Sequence, residues 1–288
     1  MFGFGEERYW RNRKLFKELG GVDVEEPPED LEQTYEEAVE EVETFTGREF
    51  VETPRLRVVS DDSRRDLFED GVYFPNTNTV VFNEENMNSA EHSQDHEFEP
   101  MNVMSRQLES MTPKDVLLEE LVHGMQDQQM GVTQYDHGPR ETVSGWFESE
   151  DKPEQPDFLT EGFADYVTDY LGNKSIELTE ASVRVSAAQK QRAEERGLLS
   201  KMLDRQSGKL ADASLEHTAE RYLGHLYFKA IEQEEGVEGV MERAFDNTPG
   251  YDDLNEVIET VEYSDIDRDE EVYVFSRDYL WSQKGPSS

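Results

Sequence analysis

The segment LLEELVHGMQDQQ, residues 117–129, sets two adjacent carboxylates and an imidazole at the spacing Glu119-Glu120-x-x-His123. Helical residues four apart lie one turn above one another, so Glu119 and His123 share a face and Glu120 stands beside them. A carboxylate and an imidazole on one face can ligate a divalent cation, and a neighbouring carboxylate can take a proton. A later segment, PDFLTEGFADYVTDYL (156–171), carries Glu161 and Asp165 at the same interval, away from an apolar stripe of Phe158, Leu159, Phe163, Tyr166 and Tyr170. Two such helices face to face could gather Glu119, His123 and Glu161 around one cation. Gly162 adds to this reading: glycine inside a helix costs about 1 kcal/mol against alanine, and here it admits a close backbone neighbour. The plain alternative is a surface helix, with Leu117, Leu118, Leu121, Val122 and Met125 inward and Glu119, His123 and Asp127 on a solvated face.

The elements that must position these residues read as α+β. Asp30 is placed to cap a helix, LEQTYEEAVEEVETF, that stops at Gly47. RLRVV (55–59) reads as a strand, and GVYFPNTNTVVFN (71–83) as two strands around an Asn/Thr turn. Residues 84–110 are acidic and rich in Met and Asn, as expected of a long loop or insertion. Thr112 supplies a capping hydroxyl and Pro113 the first position of the motif helix, which runs to about Met130. After a loop at 131–156 and the second motif helix come helical patterns at 178–206 and 214–234 and a shorter one near 237–246. The acidic end, from 263, closes in VYVFSRDYLW, a strand or a docked tail. Strands first and helices later suggest α+β; the length allows one large domain or two small ones, and a single domain over 1–288 is expected. Its parts are an N-terminal extension (1–29), an α/β part with the insertion (30–110), a helical part with the motif helices (111–262) and a tail (263–288).

Composition narrows the partners. With 67 acidic and 28 basic residues the formal net charge is -39, and no basic stripe exists to neutralise nucleic-acid phosphates. The charge is spread along the chain, and at molar salt, where the Debye length is about 3 Å, its repulsion is screened. The 15 Phe, 12 Tyr and 3 Trp fall in periodic apolar segments, which speaks for a folded core rather than disorder. This composition resembles that of salt-adapted, haloarchaeal proteins. The absence of cysteine excludes disulfides and thiolate zinc sites. The charged opening MFGFGEERYWRNRKLFKELG lacks the apolar stretch of a signal peptide, and no apolar run would span a bilayer, so the expected location is the cytoplasm.

The ordered motifs resemble the thermolysin-like zinc peptidases, the gluzincins, in which one helix carries HExxH and a later one carries ExxxD. The likeness is to an uncharacterised gluzincin-like group reading HELxHALQDQ and then EGxAxY. Here the corresponding runs are His123-Gly124-Met125-Gln126-Asp127-Gln128 and Glu161-Gly162-Phe163-Ala164-Asp165-Tyr166. Tyr222-Leu223-Gly224-His225 and Ala244-Phe245-Asp246-Asn247-Thr248-Pro249 follow in the same order, and VYFPNTNTVVF is similar to the hairpin whose edge strand pairs with extended substrate. The resemblance covers about residues 55–260. It implies a zincin-like α+β fold: a small twisted sheet with an edge strand, an active-site helix and a mainly helical C-terminal half. It further implies Glu119, His123 and Glu161 as ligands of Zn²⁺ or another divalent metal, Glu120 as general base, Asp165 as the group orienting the first ligand, and His225 as an oxyanion stabiliser.

The departure from the family falls on that first ligand, where Glu119 stands in place of histidine. Two carboxylates put two negative charges on the ion and make it a weaker electrophile. Glu119, when ionised, has no proton to give Asp165, and two carboxylates about 4 Å apart repel by about 4 kcal/mol at an effective dielectric near 20. Three readings therefore stand, one of them a gluzincin-like scaffold whose metal serves structure or a different hydrolysis. Another is a metal-dependent peptidase acting on a peptide or protein, and the last is an inactive pseudo-peptidase, with or without a metal, that keeps the cleft for binding one. His92 and His96, flanked by Glu91, Asp95 and Glu97, form a further candidate pair within the acidic insertion, against the plain reading of a solvated loop.

Overall fold

A computed structural model describes residues 24–59, 71–83, 111–130, 157–195, 205–250 and 253–284. It is α+β, with seven α-helices and a three-stranded mixed sheet among the described residues. The elements are α1 (Glu29–Thr46), β1 (Arg55–Val59), β2 (Gly71–Phe74), β3 (Thr79–Asn83), α2 (Pro113–Met130), α3 (Asp157–Leu171), α4 (Ile176–Glu195), α5 (Arg205–Met241), α6 (Leu254–Tyr263) and α7 (Glu270–Lys284). The described residues fall into two compact units, a sheet unit with α1, the strands and α2, and a helical unit from α3 onward.

In the sheet unit the strand order is β1-β3-β2, with β1 parallel and β2 antiparallel to β3. The hairpin expected from the Asn/Thr turn is present, and Asn78 takes the positive φ (49°) that a tight turn needs. β3, the central strand, is buried along its whole length, whereas β2 alternates. Val59 and Val81 pack with Val24, Val72 and Phe74 on one side of the sheet. On the other side Gly71 and Tyr73 of β2 meet α2: a methyl on Gly71 would lie 2.5 Å from Val116 Cγ1 and 3.1 Å from Glu120 Cγ. Gly124 of α2 in turn leaves room for the Tyr73 ring. Two glycines thus let a helix lie against a strand with little between them.

The capping chemistry differs in detail from expectation. Asp30 does not cap α1: Pro28 holds the cap position in extended backbone, and Asp30 sits in the first turn, where an acidic side chain faces the positive end of the helix dipole. At α2, Thr112 is the boundary residue expected, but its hydroxyl donates to Asp115 Oδ2 (2.8 Å), which also accepts the Thr112 N–H (2.7 Å). The carboxylate reaches back and closes the turn.

In the helical unit α5 is the central element, packed against α3, α4, α6 and α7. Gly236 (φ 77°) breaks its regular geometry, where sequence periodicity places a boundary, and a π-helical turn (Glu242–Asp246) follows. Of the two expectations for the aromatic C-terminal segment, the strand does not hold, and the docked tail is a helix packed on α5. It is α7, because Val272, Tyr273, Ser276 and Leu280 recur at helical spacing and are the residues it buries.

Candidate metal centre

The solvated-face alternative for α2 does not hold. From Asp115 to Gln126 every residue but Glu119 is buried, and Glu119 itself is half-buried. Glu120 retains 8% of its surface and His123 2%, so most of the polar side of this helix is withdrawn from solvent, though less completely than its leucines. Rigid placement follows from the neighbours within the sheet unit. Gln128 donates to the Glu52 carbonyl (2.8 Å) and to Asn78 Oδ1 (3.0 Å), and its own oxygen accepts the Val51 N–H (2.8 Å). Tyr73 donates to Asn78 Oδ1 (3.0 Å), with Asp127 Oδ2 at 3.4 Å. The C-terminal turn of α2, which carries the residues following His123, is therefore tied to the hairpin turn and the segment before β1.

In the helical unit α3 and α5 touch backbone to backbone. A methyl on Gly162 would lie 2.5 Å from Gly224 Cα, and one on Gly224 would lie 1.7 Å from the Phe158 carbonyl oxygen. Neither is sterically possible, so the bare glycines set the helix separation, as the position of Gly162 beside Glu161 foreshadows. This contact brings a row of acids on α3 against a row of bases on α5. Arg221 grips Asp165 with two nitrogens, Nε to Oδ2 at 3.0 Å and Nη2 to Oδ1 at 2.6 Å, and places Nη1 3.5 Å from Glu161 Oε2. Lys174, from the loop between α3 and α4, pairs with Asp165 Oδ1. One turn further on, Asp169 accepts from His225 Nε2 (3.1 Å) and from Lys229.

Electrostatics follow this ladder. Asp165 is wholly buried, which by itself would raise its pKa. The Arg221 guanidinium and then the Lys174 ammonium outweigh that and hold its carboxyl well below the usual carboxylate range. Asp169 shows the same balance: burial pushes it up, and the hydrogen bonds from His225 and Lys229 bring it below its ordinary value. His225 is fully buried, and its ring is engaged by Asp169. Tyr222, also buried, donates to Glu180 (3.2 Å), and burial followed by that carboxylate raises its pKa.

Glu119, His123 and Glu161 form a group that could hold a metal ion: each offers one ligand atom, and these atoms lie within 4.8 Å of one another. One imidazole nitrogen and two carboxylate oxygens are a donor set suited to Zn²⁺ and to harder divalent ions alike, so the residues fit such a group. Arg221, Lys174 and Lys229 were not anticipated as partners. The sequence carries the signal, since the acids Glu161, Asp165 and Asp169 and then the basic residue types Arg221, His225 and Lys229 repeat at four-residue intervals. His92 and His96 lie outside the described residues. No helix among the described residues is long and apolar enough to cross a membrane. The chain matches no family model, no curated protein and no solved structure.

Proposed function

We propose that this chain is a metal-dependent, peptidase-like hydrolase of the gluzincin type, working in concentrated salt in the cytoplasm. The observation that carries the reading is the Glu119-His123-Glu161 group, whose ligand atoms lie within 4.8 Å of one another. Glu119, His123 and Glu161 would hold a divalent ion, with Zn²⁺ the first choice. When bound, the ion supplies Lewis-acid polarisation of a carbonyl. The chain's own residues do the rest. Glu120, adjacent to a ligand and packed against Gly71 of β2, takes a proton from water at its carboxylate and returns it to the leaving amine. β2, which pairs on one side only among the described residues, presents main-chain groups to an extended peptide. His225, through its hydrogen bond to Asp169, contributes to the charge order of α3 and α5. A second reading, a peptide-binding protein without catalysis, is favoured by one observation: a carboxylate, Glu119, occupies the first ligand position.

Bound-metal analysis of protein purified in molar KCl, without chelator or affinity-tag nickel, tests the proposal. The expected result is a single tightly held ion per chain that is lost in His123→Ala, together with peptide hydrolysis that is lost in Glu120→Gln. A folded wild-type protein without metal would defeat the hydrolase reading in favour of the binding one. Glu119→His then reports whether an imidazole at that position strengthens both properties.

A further inference from the structure

We infer that Arg221 is the positioning residue for Glu161, an inference that rests on Glu161 being a metal ligand. Arg221 Nε and Nη2 are committed to Asp165 and Nη1 faces Glu161, so one planar guanidinium spans two carboxylates a helical turn apart. Asp165 is the anchor. Fully buried and also paired with Lys174, it fixes the plane of the fork, and the plane fixes where the third nitrogen points. Only 12% of the Glu161 side chain is exposed, and it stands on the turn of α3 that meets Gly224, so neither its backbone nor its neighbour can shift to compensate. A carboxylate has more acceptor sites than one such contact occupies, and Glu161 keeps capacity for an ion. Lysine could supply the charge of Arg221 but not this geometry.

The same contact bears on the unusual ligand set. Glu119, Glu161 and Asp165 carry three negative charges, Arg221 and Lys174 carry two positive ones, and the balance is a single negative charge. Arg221 thus offsets the carboxylate that Glu119 adds, and by drawing charge from Glu161 leaves a bound ion more electrophilic than two free carboxylates would.

Chelator competition for Zn²⁺ in molar KCl, beside melting of the metal-free proteins, tests this. Arg221→Lys should weaken Zn²⁺ binding by about ten- to hundredfold, the usual effect of removing an outer partner of a ligand, and Arg221→Gln at least as much. In the Glu161→Ala background the same Arg221→Lys change should shift affinity by less than about twofold, since its target is gone. Lys174→Met removes the other cation on Asp165 and should lower the metal-free melting point more than it lowers affinity, which separates fold from positioning. Unchanged affinity in Arg221→Lys and Arg221→Gln overturns the inference. So does a loss of equal size with and without Glu161, or a greater loss of affinity in Lys174→Met than in Arg221→Lys. Failure of wild-type protein to bind Zn²⁺ defeats the proposed function itself, and is read before any variant is made.

Discussion

The sheet unit and the helical unit both use glycine to bring two elements close, and both tie polar side chains across the gap, but the ties differ in kind. In the sheet unit, Gly71 and Gly124 make room for side chains, and Gln128 and Tyr73 hold the end of α2 through hydrogen bonds to carbonyls and an amide. In the helical unit, Gly162 and Gly224 make room for backbone, and the ties are ion pairs: Asp165 with Arg221 and Lys174, Asp169 with Lys229, beside the His225 contact. A side chain can tilt to accept a small intrusion, while a backbone contact cannot. An uncharged hydrogen bond is indifferent to pH and salt, while a buried carboxylate is stable only as long as its cations are there. At these contacts the sheet unit can accommodate a small intrusion and the helical unit cannot, although the sheet unit has ion pairs of its own in Arg57–Glu26 and Lys114–Glu41.

The largest effect should come from Gly224→Ala, whose new methyl would sit 1.7 Å from the Phe158 oxygen. A loss of more than about 4 kcal/mol is expected, read as disappearance of the cooperative urea transition of the helical unit. Next is Asp165→Asn, which leaves two cations without their buried counter-charge and should cost about 3–5 kcal/mol in the same assay. Acid supplies the unmutated version of that experiment. Both Asp165 and Asp169 have folded-state pKa values below their ordinary ones, so their pairing contributes fully above the unfolded carboxylate pKa, about 3.9, and is lost as pH falls through the folded values. Hydrogen exchange below about pH 4 should therefore open α3 and α5 before the β-strands. Falling net charge relieves repulsion in both units alike, so the order of opening is the informative quantity. Gly124→Ala, with its nearest contacts at 3.2 Å to the edges of Pro54 and Tyr73, should cost about 1–3 kcal/mol. Gln128→Ala should cost about 1 kcal/mol, with no dependence on pH. If Gly124→Ala proved as damaging as Gly224→Ala, the distinction between side-chain and backbone contacts would fall.

Much of this architecture is legible in the sequence, for reasons that also explain what is not. The strands at 55–59 and the hairpin announce themselves through β-branched runs and an Asn/Thr turn, and both motif helices through their periodic apolar residues. Gly162 is legible because glycine has no local reason to stand inside a helix. Its partner Gly224 stands within a motif-like run, and sequence alone does not say which two glycines meet. VYVFSRDYLW misleads because its residue types favour strands, and the four-residue recurrence of its buried positions must be weighed against them. The polar face of α2 looks like surface because local pattern cannot tell a solvated carboxylate from an enclosed one. Asp165 was expected to orient the first ligand; its partners Arg221 and Lys174 come from other elements, and only the matched charge periodicity hints at the former.

That periodicity has a weakness which the glycine contact removes. Acids at 161, 165 and 169 and bases at 221, 225 and 229 repeat with the pitch of a helix, about 5.4 Å per turn. A ladder with equal rungs does not know its own alignment. Displaced by one turn, two of the three acids again meet a base, so charge alone sets the alignment only through the rung that is lost. Gly162 and Gly224 are a notch in this scale, a place where α3 and α5 meet backbone to backbone with no room for a methyl. Charge supplies the adhesion and glycine supplies the address, and the rung on which Glu161 stands is chosen by the two residues that have no side chain at all.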